Sequence, residues 1–200
     1  STGARIPSDT LHIRRVQFLW SGTLHERIRV RNFGGREVRV SLELQLGADF
    51  ADIFEVRGDR RPRRGTTAPP ELDDATVRYR YEGLDGIERQ TLLCLEPPPE
   101  ALDAETARYD LRIRPGADIG VFVAVDTGGA GTEAGPRPFR AAMRASRRAL
   151  RHASSRAASV ETSNEVFNED VRRSVADLAM LSTDTEYGPY PYAGVPWFST

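Results

Sequence analysis

Between Val38 and Leu46 every second residue is aliphatic: Val38, Val40, Leu42, Leu44 and Leu46 alternate with Arg39, Ser41, Glu43 and Gln45. A helix would scatter these side chains around its circumference, whereas a strand places them all on one face, so the segment is a strand with one buried side. The same period recurs along the chain. Ile28 and Val30 sit between Arg27, Arg29 and Arg31, and Asn32-Phe-Gly-Gly35 reads as the turn joining this strand to the next. Val77, Tyr79 and Tyr81 alternate with Arg78 and Arg80, and Asp85-Gly86 turns the chain into Ile87–Leu95. Tyr109, Leu111 and Ile113 form another strand, Pro115-Gly116 another turn, and Ile119, Val121, Val123 and Val125 a last strand. In Leu11–Trp20 the apolar phase changes between Ile13 and Val16, which predicts a bulge. Short strands separated by turn residues predict a mainly β fold, an antiparallel β-sandwich.

Gly128-Gly-Ala-Gly131 and Gly135-Pro136 read as a linker ending the β domain. This is not a nucleotide loop, because the spacing is wrong and no Lys-Ser/Thr follows. Beyond it the period becomes helical. Phe139–Arg156 is rich in Ala and Arg with few apolar positions, which suits a connector helix lying on another surface. Thr162-Ser-Asn-Glu165 fits a capping box for the next helix. In that helix Phe167, Val171, Val175, Leu178 and Leu181 form one stripe, and Glu169 is placed to pair with Arg173.

Charge and titratable residues exclude several classes of function. Acidic residues number 29 and basic residues 28, all of them arginine, so no global field draws the chain to nucleic acid or to a membrane. Five arginines crowd Arg57–Gly65, read as a solvated loop with an anion-contacting loop as the sharper alternative. The single cysteine, Cys94, excludes an internal disulfide, fits a reducing compartment and reads as a quiet core thiol between Leu93 and Leu95. With no long apolar run and no signal-like opening, the expected location is cytoplasmic. His12, His25 and His152 are scattered, so neither a metal site nor a cysteine nucleophile is expected. Asp49 and Asp52 lie three apart, but a turn in a β domain does not hold two carboxyls across a sugar, and no catalytic residue is assigned within the chain.

The C-terminal residues carry the sharpest signal. Tyr190, Tyr192, Trp197 and Phe198 stand among Pro189, Pro191, Gly194 and Pro196, a stiff aromatic segment suited to stacking on pyranose rings. Ser163-Asn-Glu-Val-Phe-Asn168, Asp177-Leu178 and Tyr192-Ala-Gly-Val-Pro-Trp-Phe-Ser-Thr200 resemble the first helix and following loop of amylo-α-1,6-glucosidases, the debranching glucosidases of glycogen metabolism. Ala48-Asp-Phe-Ala-Asp-Ile-Phe-Glu-Val-Arg-Gly58 resembles the β-rich domain that precedes their catalytic barrel, so two separated blocks match in the family's order.

The resemblance implies three parts: an N-terminal β-sandwich over 1–136, a linker with the connector helix over 137–160, and the start of an (α/α)6 barrel over 161–200. It implies a parent enzyme that hydrolyses α-1,6-linked glucose at branch points of an α-glucan, with no cofactor and no metal. In that family the loop runs on into Gly-Arg-Asp and the acids come from the barrel further downstream. The expectation is therefore a fragment that lacks its catalytic carboxylates and also lacks N-terminal strands. Trp197, Phe198 and Tyr192 are the expected substrate-binding residues. The Phe167, Val171, Val175 and Leu178 face is expected to be covered by the rest of the barrel or by a neighbouring molecule. The competing reading is a non-catalytic β-sandwich that binds polysaccharide or a protein partner. Nucleic-acid binding through the arginine-rich loop and helix is a third.

Overall fold

The architecture comes from a computed structural model, which describes residues 6–128, 131–155 and 160–191. The alternating segments form β1 (Leu11–Trp20), β2 (Thr23–Asn32), β3 (Val38–Gln45), β6 (Thr76–Glu82), β7 (Glu88–Glu96), β9 (Thr106–Ile113) and β10 (Asp118–Asp126). Between them lie the helical turn α1 (Ile53–Val56) and the short strands β4 (Thr66–Thr67), β5 (Glu71–Asp73) and β8 (Ala101–Leu102). Helices α2 (Pro136–Ser154) and α3 (Glu165–Leu181) follow, then a hairpin of β11 (Ser182–Thr185) and β12 (Gly188–Pro191). The chain divides into two compact units, Ser1–Phe50 with Arg61–Met143, and Ala51–Arg60 with Arg144–Thr200.

The first unit is an antiparallel sandwich of unequal sheets. A seven-stranded sheet has the order β1-β2-β10-β7-β6-β4 with β5 also on β6, and a three-stranded sheet has the order β3-β9-β8. Their inner faces share one core of Ile28, Val30, Leu93, Leu95, Val121 and Val123 against Ala107, Tyr109, Leu111 and Ile113. Two buried tyrosines end on carbonyls: the Tyr79 hydroxyl donates to Ala104 at 2.8 Å and the Tyr109 hydroxyl to Pro97 at 3.1 Å. Burial pushes both phenols up, so each stays a donor.

The turns do not all join hydrogen-bonded neighbours. Asn32–Gly35 carries the chain from β2 in the large sheet to β3 in the small one, so it is a crossing between sheets and not a hairpin turn. Pro115-Gly116 carries it back from β9 to β10. Asn32, fully buried, ties the two crossings together. Its Nδ2 donates to the carbonyls of Arg36 at 2.8 Å and Ile113 at 2.9 Å, and its Oδ1 accepts from the Gly34 amide at 2.8 Å. Its own carbonyl accepts from the Gly116 amide at 2.9 Å.

β1 contains no bulge: its register against β2 is continuous from Leu11↔Asn32 to Trp20↔Thr23. The phase change has a different cause. Leu11 and Ile13 lie on the side of the sheet that faces the sandwich, opposite Asn32 and Val30, whereas Val16, Phe18 and Trp20 lie on its other side. There Phe18 packs against Phe139, a residue of α2. The strand serves two apolar layers in succession. It is closed by a two-residue turn in which Ser21 (φ 51°) and Gly22 (φ 78°) are both left-handed, the geometry of a type I′ hairpin.

The arginine-rich loop is also more ordered than a solvated coil. Within the first unit, Arg64 donates to the Asp49 carbonyl at 2.7 Å and Arg61 to that of Phe50 at 3.4 Å. Phe50 stacks on Tyr81 at 5.2 Å, and the Tyr81 hydroxyl accepts from the Gly65 amide at 2.7 Å. Gly65 has no room for a side chain, since a Cβ there would lie 1.9 Å from the Glu82 carbonyl oxygen.

Candidate functional site

The second unit contains α3 and the β11–β12 hairpin that follows it. α3 is capped by Asn164, whose Oδ1 accepts from the amides of Val166 at 3.0 Å and Phe167 at 3.2 Å. This corrects the expectation that Thr162 is the cap. Thr162 is instead held by Asn168, which accepts from its amide at 2.9 Å and donates Nδ2 to its carbonyl at 2.8 Å. Asn168 is buried, so these bonds fix how the chain enters the helix. Glu169 pairs with Arg172 at 3.0 Å rather than with Arg173, one position earlier than expected.

The stripe along α3 is largely open within this unit. Phe167 is 50% and Leu178 58% exposed, with Val171 and Val175 half-buried. After it the β11–β12 hairpin is tightened by the Thr185 hydroxyl, which donates to the Gly188 carbonyl at 2.7 Å. Tyr187 and Tyr190 are exposed on this hairpin. Tyr192, Trp197 and Phe198 lie outside the described residues.

In the sandwich, each of the buried or turn-bound carboxylates named here already has partners. Glu26 accepts from Arg15 Nε at 2.5 Å and from Gln17 Nε2 at 3.0 Å. Asp126 accepts from the amides of Gly128 at 2.8 Å and Gly131 at 3.1 Å, closing a turn. Asp85 is held by Arg89 and the Ile87 amide, which keep its carboxyl well below the usual range. In the second unit Asp52 caps α1 through the amides of Phe54 and Glu55, both at 2.9 Å, in a capping box completed by Glu55. Cys94 is buried, its thiol donates to the Thr132 carbonyl at 3.3 Å, and burial pushes its pKa up. Among the described residues no three His, Cys, Asp or Glu side chains come together as a metal site would need.

The three-stranded sheet is too narrow to cover its partner. A cleft of about 540 Å³ is left beside β3, lined by Ile13, Ile28, Leu42, Leu44, Leu93 and Val123 with the Arg15–Glu26 pair at its edge. Its walls are mainly aliphatic, and among the described residues no aromatic platform lines it.

The other side of the large sheet carries a second apolar layer built on Phe139, which is 3% exposed. Phe18 and Phe122 meet its ring edge-on at 5.2 and 5.6 Å, and the Arg27 guanidinium lies over it at 5.5 Å. His25 stacks on Phe18 at 5.1 Å and is buried, which lowers its pKa from the ordinary 6.5. The folded protein therefore binds a proton at His25 less readily than the unfolded chain. Stability from this residue is complete above about pH 6.5 and falls as the pH drops below that value, until the folded imidazole itself titrates. Urea unfolding between pH 5 and 8 should show this decline, and His25→Gln should flatten it. An unchanged profile in the variant would remove His25 as the source.

Comparison with known proteins matches residues 1–124 to the family described as the N-terminal domain of (some) glycogen debranching enzymes. No curated protein sequence matches the chain. Among solved structures, one described as a kojibiose phosphorylase from human microbiome aligns with 86% of this chain and 22% of its own at 11% identity, with a TM-score of 0.42. A polysaccharide lyase aligns with 68% of this chain and 22% of its own at 14% identity, with a TM-score of 0.38. The chain thus spans about a fifth of either protein.

Proposed function

The chain belongs to the family of N-terminal domains of glycogen debranching enzymes, and from that premise we propose that it is the leading part of a glycoside hydrolase that releases α-1,6-linked glucose at α-glucan branch points. Family membership carries this reading. The open apolar stripe on α3 supports it, because such a face calls for further helices against it. In this reading Phe167, Val171, Val175 and Leu178 pack against the rest of an (α/α)6 barrel. That barrel supplies the acid and the base, two carboxylates acting on a water across the glycosidic bond. The sandwich and α2 are scaffold, and the enzyme works in the cytoplasm without metal or cofactor.

Trp197, Phe198 and Tyr192 form one wall of the sugar pocket. Indole and phenyl faces stack on pyranose rings, and the flanking prolines hold the loop stiff at little further cost in entropy. The intact protein decides the matter. It should release glucose from panose, isomaltose and a glycogen limit dextrin without added phosphate, and Trp197→Ala should lower kcat/KM at least several-fold with little change in Tm. Two results would sink the assignment: cleavage that requires phosphate, or exclusive action on α-1,4 links. If Trp197→Ala melts early and its folded fraction turns over normally, the ring is a packing residue and not a sugar platform.

A further inference from the structure

β3 is an edge strand. It pairs with β9 on one side and, among the described residues, with no strand on the other. Monomeric proteins blunt such edges with Pro, bulges or inward charges. β3 has none of these, since its alternation is unbroken and its register with β9 is continuous from Val38↔Ile113 to Gln45↔Thr106. Its inward row of Val38, Val40, Leu42 and Leu44 packs on the core but stays half-buried beside the cleft.

We propose that this edge is a dimerisation surface: β3 pairs antiparallel with β3 of a second copy of the chain, about a two-fold axis at Ser41. The backbone supports this axis. The Leu46 amide donates to the Glu105 carbonyl at 2.7 Å. Antiparallel ladder bonds alternate along a strand, so Val40, Leu42 and Leu44 direct theirs to β9 while Arg39, Ser41, Glu43 and Gln45 point theirs at the open edge. A two-fold at Ser41 sets these outward-directed groups against their own copies, Ser41 against Ser41 and Arg39 against Glu43.

Charge selects the same register. With the axis at Ser41, Arg39 of each copy faces Glu43 of the other. Moving the axis two residues either way would set Arg39 against Arg39 or Glu43 against Glu43. Within its own sheet Arg39 lies opposite Arg112, a like-charge neighbour that disfavours the pair. Glu43 of the second copy would flank Arg39 on its other side. On the inner face Val40 meets Leu42 and Val38 meets Leu44, which extends the apolar row along the open cleft. The contact is isologous and closes on itself, so it yields a dimer and not a filament.

The test is analytical ultracentrifugation of the intact protein, with the barrel in place over α3, and of its Arg39→Glu and Glu43→Arg variants. The parent chain should dimerise reversibly, and each reversal should weaken self-association about tenfold or more, since both cross-strand pairs become like-charged. An equimolar mixture of the two variants should regain the parental affinity, because each Glu at position 39 then faces an Arg at position 43 and the reverse. That rescue also shows both variants to be folded. The proposal is overturned by a parent chain that stays monomeric at about 100 µM. It is equally overturned by association that ignores both reversals, as contact through the α3 stripe would, or by a mixture that fails to recover.

Discussion

Phe139→Ala should be the most costly single change in the sandwich, at about 3–5 kcal/mol, the usual penalty for emptying a buried aromatic site. The ring is the centre of the outer apolar layer and touches Phe18, Phe122 and Arg27. Removing it leaves a void between the large sheet and the first turns of α2. A loss of this size should lower Tm by roughly 10 °C. Hydrogen exchange should show the amides at the start of α2 losing protection before those of β9. Leu150→Ala, on an exposed position of the same helix, should change stability by no more than about 0.5 kcal/mol. If Phe139→Ala melts within a degree or two of the parent, α2 is not anchored by this ring.

Asn32→Ala should cost about 3 kcal/mol, because the side chain makes three hydrogen bonds to backbone atoms of two separate crossings. Deleting it strands the Arg36 and Ile113 carbonyls and the Gly34 amide, and each unsatisfied buried group costs about 1–3 kcal/mol unless water enters. Asn32→Asp separates hydrogen bonding from shape. It keeps the acceptor for Gly34 but places carboxylate oxygen against two carbonyls, so it should be at least as destabilising at neutral pH and recover partly in acid. Urea unfolding at both pH values reads this directly. Equal stability of Asp and Asn at neutral pH would contradict the donor role assigned to Nδ2.

These two residues also show where the sequence is readable and where it is not. The inner faces of β2, β3, β6, β7, β9 and β10 were legible because burial on one side of a strand writes a period of two into the chain. Sheet membership was not, because Asn32–Gly35 and Pro115-Gly116 carry the same turn residues whether the chain doubles back or crosses to another sheet. Phe139 looked like one apolar residue in a basic helix. Only the outward phase of Val16, Phe18 and Trp20 hinted at a layer for it, and a single phase change is equally the mark of a bulge. At α3 both Thr162 and Asn164 are good caps, and the choice rested on Asn168, whose side chain engages Thr162 six residues away. α1 and β4 are too short for any period to show. The resemblance pointed to the right family while periodicity alone reached only the sandwich, because a segment of prolines and aromatics has no repeat to read.

The split allegiance of β1 has a consequence for how the strand finds its place. In an ordinary strand a slip of one residue turns the apolar side chains to water, and that penalty alone fixes the pairing. β1 lacks this protection, because a slip would exchange Leu11 and Ile13 for Val16, Phe18 and Trp20 at the sandwich face, a trade of grease for grease. The misalignment is instead punished at Glu26. In the native pairing its carboxylate is met by Arg15 and Gln17; in the slip that sets Phe18 opposite it, Val16 and Trp20 become its diagonal neighbours and it stands buried without a donor. The ion pair is thus a frame-reader: with Arg15 largely exposed it adds little net stability, and it penalises that decoy alignment. The type I′ turn at Ser21-Gly22 enforces the same frame from the hairpin end, so the ambiguous strand is indexed at two points along its length.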